Sequence, residues 1–207
     1  SDDLISLGKN FYKKVNKGSW MPKELVKNKD VLIIGPGKSM TNYRNKVIKF
    51  IKKKRPIVFV LNAITPIPNN FINAHIVCHT LRLLSDIKKY KKLNNHLITP
   101  FSSFSKNIKS KIESTNILDF GLQVKNKKFK FENNYSILPN SLAITYALGI
   151  CTSGMCNQIF LAGLDGYSQN SPKKYEMDEI FENYKLEKAS KKIFTLTPST
   201  YKIKFIK

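Results

Sequence analysis

Gly35-Pro36-Gly37-Lys38-Ser39 is the stretch whose residue types come nearest to phosphate chemistry. It follows the apolar run Val31-Leu32-Ile33-Ile34 and precedes an amphipathic segment, Met40 to Lys53. That order predicts a buried strand, a glycine-rich turn and a helix N-terminus. Bare backbone N–H groups and the positive end of a helix dipole then meet at one point, which suits a phosphate. Spacing excludes the two standard phosphate loops. A Walker loop needs a glycine where this chain has Leu32, and a dinucleotide fingerprint needs one where it has Met40. No acidic residue closes the next strand either, which ends at Asn62. Two readings stay open: one wall of a phosphate or nucleotide site, or a tight turn with no ligand.

Other chemistry-bearing residues fall where apolar runs stop. Asn62 follows Val58-Phe59-Val60-Leu61, where its amide could bond a base or sugar, or close an Asx turn before Pro66 and Pro68. His79 follows Ala74 to Cys78 and is a candidate base, or a loop histidine with local bonds; His75 is expected to face the other way. Asp165, after Gly163, is a carboxylate suited to a ribose or sugar hydroxyl and the other candidate base; its plain role is to hold the Gly163-Leu164-Asp165-Gly166 turn. Asn140 and Ser141 open a helix that runs through Leu142, Ile144 and Leu148. Tyr167 and Tyr175 flank a polar run and offer hydroxyls to a phosphate. No Asp-x-Asp occurs, and the His-x-x-x-His spacing of His75 and His79 falls on an expected strand, not on a helix that would bring both rings to one point, so no metal and no resident cofactor is expected.

Those residues need strands to hold them. Strands are expected at 31–34, 57–61, 74–78, 96–99, 158–162 and 193–196, with helices at 40–53, 81–93, 141–148 and 176–192. Phe129-Lys130-Phe131 alternates as a hairpin arm or a lysine-guarded edge strand would, within the least legible stretch, 115–135. Strands that are apolar throughout and alternate with helices predict an α/β fold: a mostly parallel sheet with helices on both faces. In such a sheet the ligand crevice lies beyond the strands' carboxyl ends, where the candidates cluster. Residues 30–207 read as one domain, and 1–29 as an N-terminal arm or linker with Leu4 to Val15 amphipathic and Trp20 as an anchor.

Composition bounds the partners. Thirty-six Lys and Arg against 14 Asp and Glu give a net charge of +22, but only Arg44, Arg55 and Arg82 are arginines. Arginine is what specific phosphate and base recognition favours, so attraction to an anionic membrane or glycolipid is expected and specific nucleic-acid binding is not. Cys78, Cys151 and Cys156 fit core filler in a reducing cytosol, and peripheral contact with the inner membrane face is compatible with that location. No run of 18 uncharged apolar residues occurs, and no signal peptide is read. The start at Ser1, without a methionine, reads as a fragment of a longer chain.

Four motifs together carry a resemblance: Leu32-Ile33-Ile34-Gly35-Pro36-Gly37-Lys38-Ser39, then Phe59-Val60-Leu61-Asn62, then Leu138-Pro139-Asn140-Ser141-Leu142, then Ile159-Phe160-Leu161-Ala162-Gly163-Leu164-Asp165-Gly166-Tyr167. In these, residues 30–197 resemble bacterial lipooligosaccharide sialyltransferases of the Campylobacter type, the related motility accessory proteins and the methanopterin pyrophosphokinase-like group. The resemblance implies a modified Rossmann sheet and a CMP-sugar substrate held at Gly35, Gly37 and Ser39, at Asn62, and at Asn140 with Ser141. It also implies a phosphate bound by Tyr167 and Tyr175. It departs at the base, which the sialyltransferases take from a lid histidine after the last motif, whereas no histidine follows His96. A similarity to the C-terminal parts of polysaccharide-locus proteins implies an upstream aldolase-type domain of the hydroxymethylglutaryl-CoA lyase family. The expected function is nucleotide-sugar binding in surface polysaccharide or glycolipid synthesis. The alternatives are a non-catalytic accessory domain of a larger enzyme and a pyrophosphokinase-like phosphoryl transferase.

Overall fold

In a computed structural model, which describes residues 12–113 and 115–206, the apolar runs become the centre of one sheet. Strands β1 (Val31–Ile34), β2 (Ile57–Leu61), β3 (Ala74–Ile76), β4 (His96–Thr99) and β5 (Ile117–Asp119) follow one another outward from the middle. Later strands β9 (Ile159–Ala162), β10 (Ile193–Thr195) and β11 (Lys204–Phe205) extend the sheet from the other side of β1. The order is β11-β10-β9-β1-β2-β3-β4-β5, and all pairings are parallel. The chain therefore turns from one direction of growth to the other at β1. That topological switch point is where a parallel sheet opens a crevice at its carboxyl edge.

Both faces of the central strands are covered, which is why they lack polar alternation. Val31, Ile33, Phe59 and Leu61 point to one core, and Leu32, Ile34, Val58 and Val60 to another. The second is closed by helix α2 (Ser39–Lys54) through Met40, Val47 and Ile51. The first, larger core is closed by α6 (Ala143–Ser153), α7 (Pro172–Leu186) and a small sheet. That sheet pairs β6 (Gly121–Val124) parallel to β8 (Tyr135–Leu138), with β7 (Lys130–Phe131) antiparallel on β8's other side. A third cluster, including Val77, Leu83, Leu97 and Ile112, lies under α3 (Thr80–Ser85), α4 (Ile87–Tyr90) and α5 (Lys106–Ile112).

Several expectations change. The helix expected over 81–93 is two short ones, α3 and α4, parted at Asp86, whose backbone (φ −104°, ψ 9°) leaves the helical region. The helix expected from 176 begins at Pro172, because proline suits the first helical position, and stops at Leu186. The third strand ends at Ile76 rather than Cys78. Of Phe129 to Phe131, Lys130 and Phe131 do enter a hairpin, as β7, but β5, β6, β8 and α5 had no clear signal. Ahead of β1 lies α1 (Lys23–Val26), and single 3-10 turns occupy Asn69–Phe71 and Phe101–Ser103. Of the amphipathic segment read at Leu4 to Val15, residues 4–11 lie outside the described residues. Tyr12, Trp20 and Val26 sit in the larger core.

Candidate functional site

The turn after β1 and the turn after β9 are packed into each other, and that contact uses both glycines of the first. The Gly37 N–H donates to the Gly163 carbonyl at 2.8 Å. A Cβ on Gly35 would stand 2.6 Å from the Gly163 oxygen, and one on Gly37 2.5 Å from an oxygen of Asp165. Real side chains do not approach that closely, so glycine here serves backbone-to-backbone packing. Gly163 itself holds φ +66°, a left-handed conformation open to glycine at little cost.

Asp165 completes the joint. The Ser39 N–H donates to its Oδ2 at 2.8 Å, and the Ser39 hydroxyl donates to its Oδ1. Both carboxylate oxygens are engaged at the first turn of α2, where a negative charge complements the helix dipole. The anion at the α2 N-terminus is thus the chain's own carboxylate. This places Asp165 as a cap from a distant loop and Ser39 as its donor.

Over the carboxyl ends of β1, β2 and β9 lies a crevice of about 470 Å³. Of the residues singled out from the sequence, Pro36, Gly37, Lys38, Asn62, Asp165 and Tyr167 line it. Asn62 has φ +65°, a conformation asparagine tolerates better than most residues. Its backbone is pinned from both ends, with N–H to Ile76 O at 2.9 Å and its carbonyl accepting from His75 Nδ1 at 2.8 Å. Opposite stand Leu142, Ala143 and Ile144, the start of α6. No side chain caps that helix, and the Leu142 N–H is held by Asn140 Oδ1 at 3.2 Å. Two helices therefore begin at the crevice, one capped by Asp165 and one without a side-chain cap.

The remaining wall comes from Tyr167, Met177 and Tyr201. Tyr201 is held in place by the segment after β10. Ser199 Oγ donates to Leu164 O at 2.6 Å, Thr200 N–H to Asp165 O at 2.8 Å, and Gly163 N–H to Thr197 Oγ1 at 2.9 Å. Burial first, then Tyr167 and Asp178, push the Tyr201 hydroxyl up to about 12, so it remains a hydrogen-bond donor. Lys173 lies over the Tyr167 ring at 5.8 Å from its centroid. Tyr201, Met177 and Lys173 were not singled out from the sequence. The strand-end rule applied to Thr197-Pro198-Ser199 would have pointed to Tyr201.

Other candidates lie elsewhere. His79 is exposed at the start of α3 and does not line the crevice. Tyr175 is 65% exposed on the outer side of α7. Asn140 bonds Glu176 at 3.0 Å beside a separate small hollow, and Ser141 lends its carbonyl to Cys78 Sγ at 2.9 Å. Gly35 and Ser39 sit one layer behind the crevice. His75 is buried against Tyr90, and desolvation lowers its pKa, so it stays neutral in the fold.

No family model matches the chain, and no curated protein matches it. Among solved structures it is similar to the MAf glycosyltransferase from Magnetospirillum magneticum AMB-1, with a TM-score of 0.64 and 10% identity. The match covers 99% of this chain and 38% of that one, so the chain spans well under half of its neighbour's length. At that identity the likeness is one of fold: a Rossmann-like α/β sheet of the kind a glycosyltransferase uses.

Proposed function

We propose that the crevice binds a nucleotide or nucleotide-sugar and that the chain serves glycosyl transfer, with a CMP-sugar as the first substrate class to test. The observation that carries this reading is the start of α6, which opens without a side-chain cap onto the crevice that Lys38, Asn62 and Tyr167 also line. An uncapped helix N-terminus facing a lysine and two tyrosine hydroxyls suits a phosphate. The Asn62 amide is suited to a base or sugar. The shared fold with a glycosyltransferase adds support.

In a displacement of the nucleotide, the α6 amides, Lys38, Tyr167 and Tyr201 would stabilise charge on the departing phosphate. The acceptor hydroxyl also needs a base. Among the lining residues only Asp165 carries a carboxylate, and Ser39 occupies both of its oxygens. That observation favours a second reading, a nucleotide-sugar-binding domain within a larger carbohydrate-synthesis protein, which an upstream aldolase-type domain would fit. Phosphoryl transfer through magnesium is less well served, because Asp165 is engaged by Ser39 and Asp178 by Lys174.

Calorimetry with CMP, CDP, UDP and GDP tests the reading. At least one should bind below millimolar Kd, and Asn62→Ala or Lys38→Ala should weaken it about tenfold. No heat with any of the four at millimolar concentration overturns it. Binding without sugar transfer to any acceptor selects the second reading.

A further inference from the structure

The opposite end of α7 carries a surface that the crevice does not use. Lys185, Lys191, Lys192, Lys202 and Lys204 line a groove of about 280 Å³ at the amino ends of the edge strand β11 and its neighbour β10. Beside it Leu186, the last residue of α7, is 84% exposed, more than any other large apolar side chain among the described residues. The neighbouring carboxylates are Glu182 and Glu187; Glu182 stands 3.4 Å from Lys185, which also donates to Lys202 O at 3.0 Å. Lysines converging on one hollow repel each other and gain most from an anionic partner.

We infer that this surface docks the chain peripherally on an anionic lipid bilayer. The lysines meet the phosphate and carboxylate headgroups, and Leu186 enters the boundary of the acyl region. An exposed leucine next to a hollow lined by long cationic side chains is an arrangement that interfacial binding uses, because each lysine can lay its methylenes along the boundary while its ammonium stays among headgroups. The same features disfavour a nucleic acid. None of the chain's three arginines lies in the groove, and the adjacent exposed ring, Phe205, is packed edge-on to Tyr43 with Lys46 over it at 4.6 Å. Because Met177, near the start of α7, lines the crevice and Leu186 ends the helix, a docked chain presents its crevice away from the bilayer. The inference stands whatever the crevice binds.

Flotation of the full chain with vesicles tests it. Vesicles containing about one third phosphatidylserine should carry the protein at about 0.1 M salt, and phosphatidylcholine vesicles should not. Lys191→Glu with Lys192→Glu should lower the bound fraction about tenfold, and Leu186→Ser several-fold. Lys52→Glu, Lys53→Glu and Lys54→Glu together, at the far end of α2, remove more charge and should leave most binding intact. Failure to float with anionic vesicles overturns the inference. So does an equal loss with the α2 variant, which would assign the attraction to net charge, or tighter binding to single-stranded RNA through the same lysines.

Discussion

Ser39 and Asp165 stand 126 positions apart and are joined by two hydrogen bonds, so the first turn of α2 depends on a loop from the far end of the chain. The carboxylate accepts one backbone and one hydroxyl donor, satisfies an amide that a helix leaves open, and brings negative charge to the positive end of the dipole. Removing the hydroxyl in Ser39→Ala should cost about 1 kcal/mol, and Asp165→Asn about 1–2 kcal/mol. The pair should cost clearly less than the sum, because either change alone breaks the same joint. Urea denaturation of the two single variants and the double variant measures this. Strict additivity would mean that the carboxylate and the serine do not act as a unit. None of this coupling is visible in a local motif: Gly35 to Ser39 has the composition of a ligand loop, and only the tertiary partner shows which anion fills it.

Among the elements, the strands nearest the switch point were the legible ones. β1, β2 and β9 are short apolar runs because both of their faces are covered, and each stops at a residue that turns the chain. Their carboxyl ends located most of the crevice from sequence. β6 and β8 were not legible, since their parallel pairing joins segments that no short turn connects, and Gly121-Leu122-Gln123-Val124 has no local pattern that demands it. Tyr201 was missed for the same reason, being held by bonds from Ser199 and Thr200 to the loop after β9. The unequal N-termini of α2 and α6 yield a test with two signs. Leu142 has the extended backbone (φ −71°, ψ 141°) of an N-cap and is 37% exposed. Leu142→Asp should therefore cap α6 and stabilise the fold by about 1 kcal/mol. It also sets a carboxylate where a ligand phosphate would lie, so nucleotide affinity should fall at least about tenfold. Thermal melting and calorimetry on the one variant read both effects. Unchanged affinity in a stabilised protein would move the phosphate away from α6.

For the whole molecule, the segment ahead of β1 ties the small sheet to the large one. The Val124 N–H donates to Tyr12 O at 2.9 Å, Gly18 N–H to Asn134 O at 3.0 Å, and Trp20 N–H to Asp119 O at 3.0 Å, so three bonds bridge this segment, β5 and the small sheet. Asp119 in turn accepts from the backbone and hydroxyl of Ser102, beyond β4. Tyr12 donates its hydroxyl to Cys78 O, just past the carboxyl end of β3 in the large sheet. Gly18 passes so close to Asp119 that a Cβ would stand 2.1 Å from its carbonyl oxygen, which makes the path specific. Trp20 is 8% exposed within the larger core, and truncating a buried tryptophan costs about 3–5 kcal/mol. A domain of this size is stable by about 5–15 kcal/mol, so the loss is a large fraction of the total. Trp20→Ala should lower the urea midpoint accordingly. It should also speed amide exchange in β6 and β8 before β1, β2 and β9, because the small sheet loses its tie while the central strands keep both covers. An unchanged midpoint would mean that residues 12–26 lie on the fold without holding it. Exchange that quickened equally in both sheets would mean that the two form one cooperative unit.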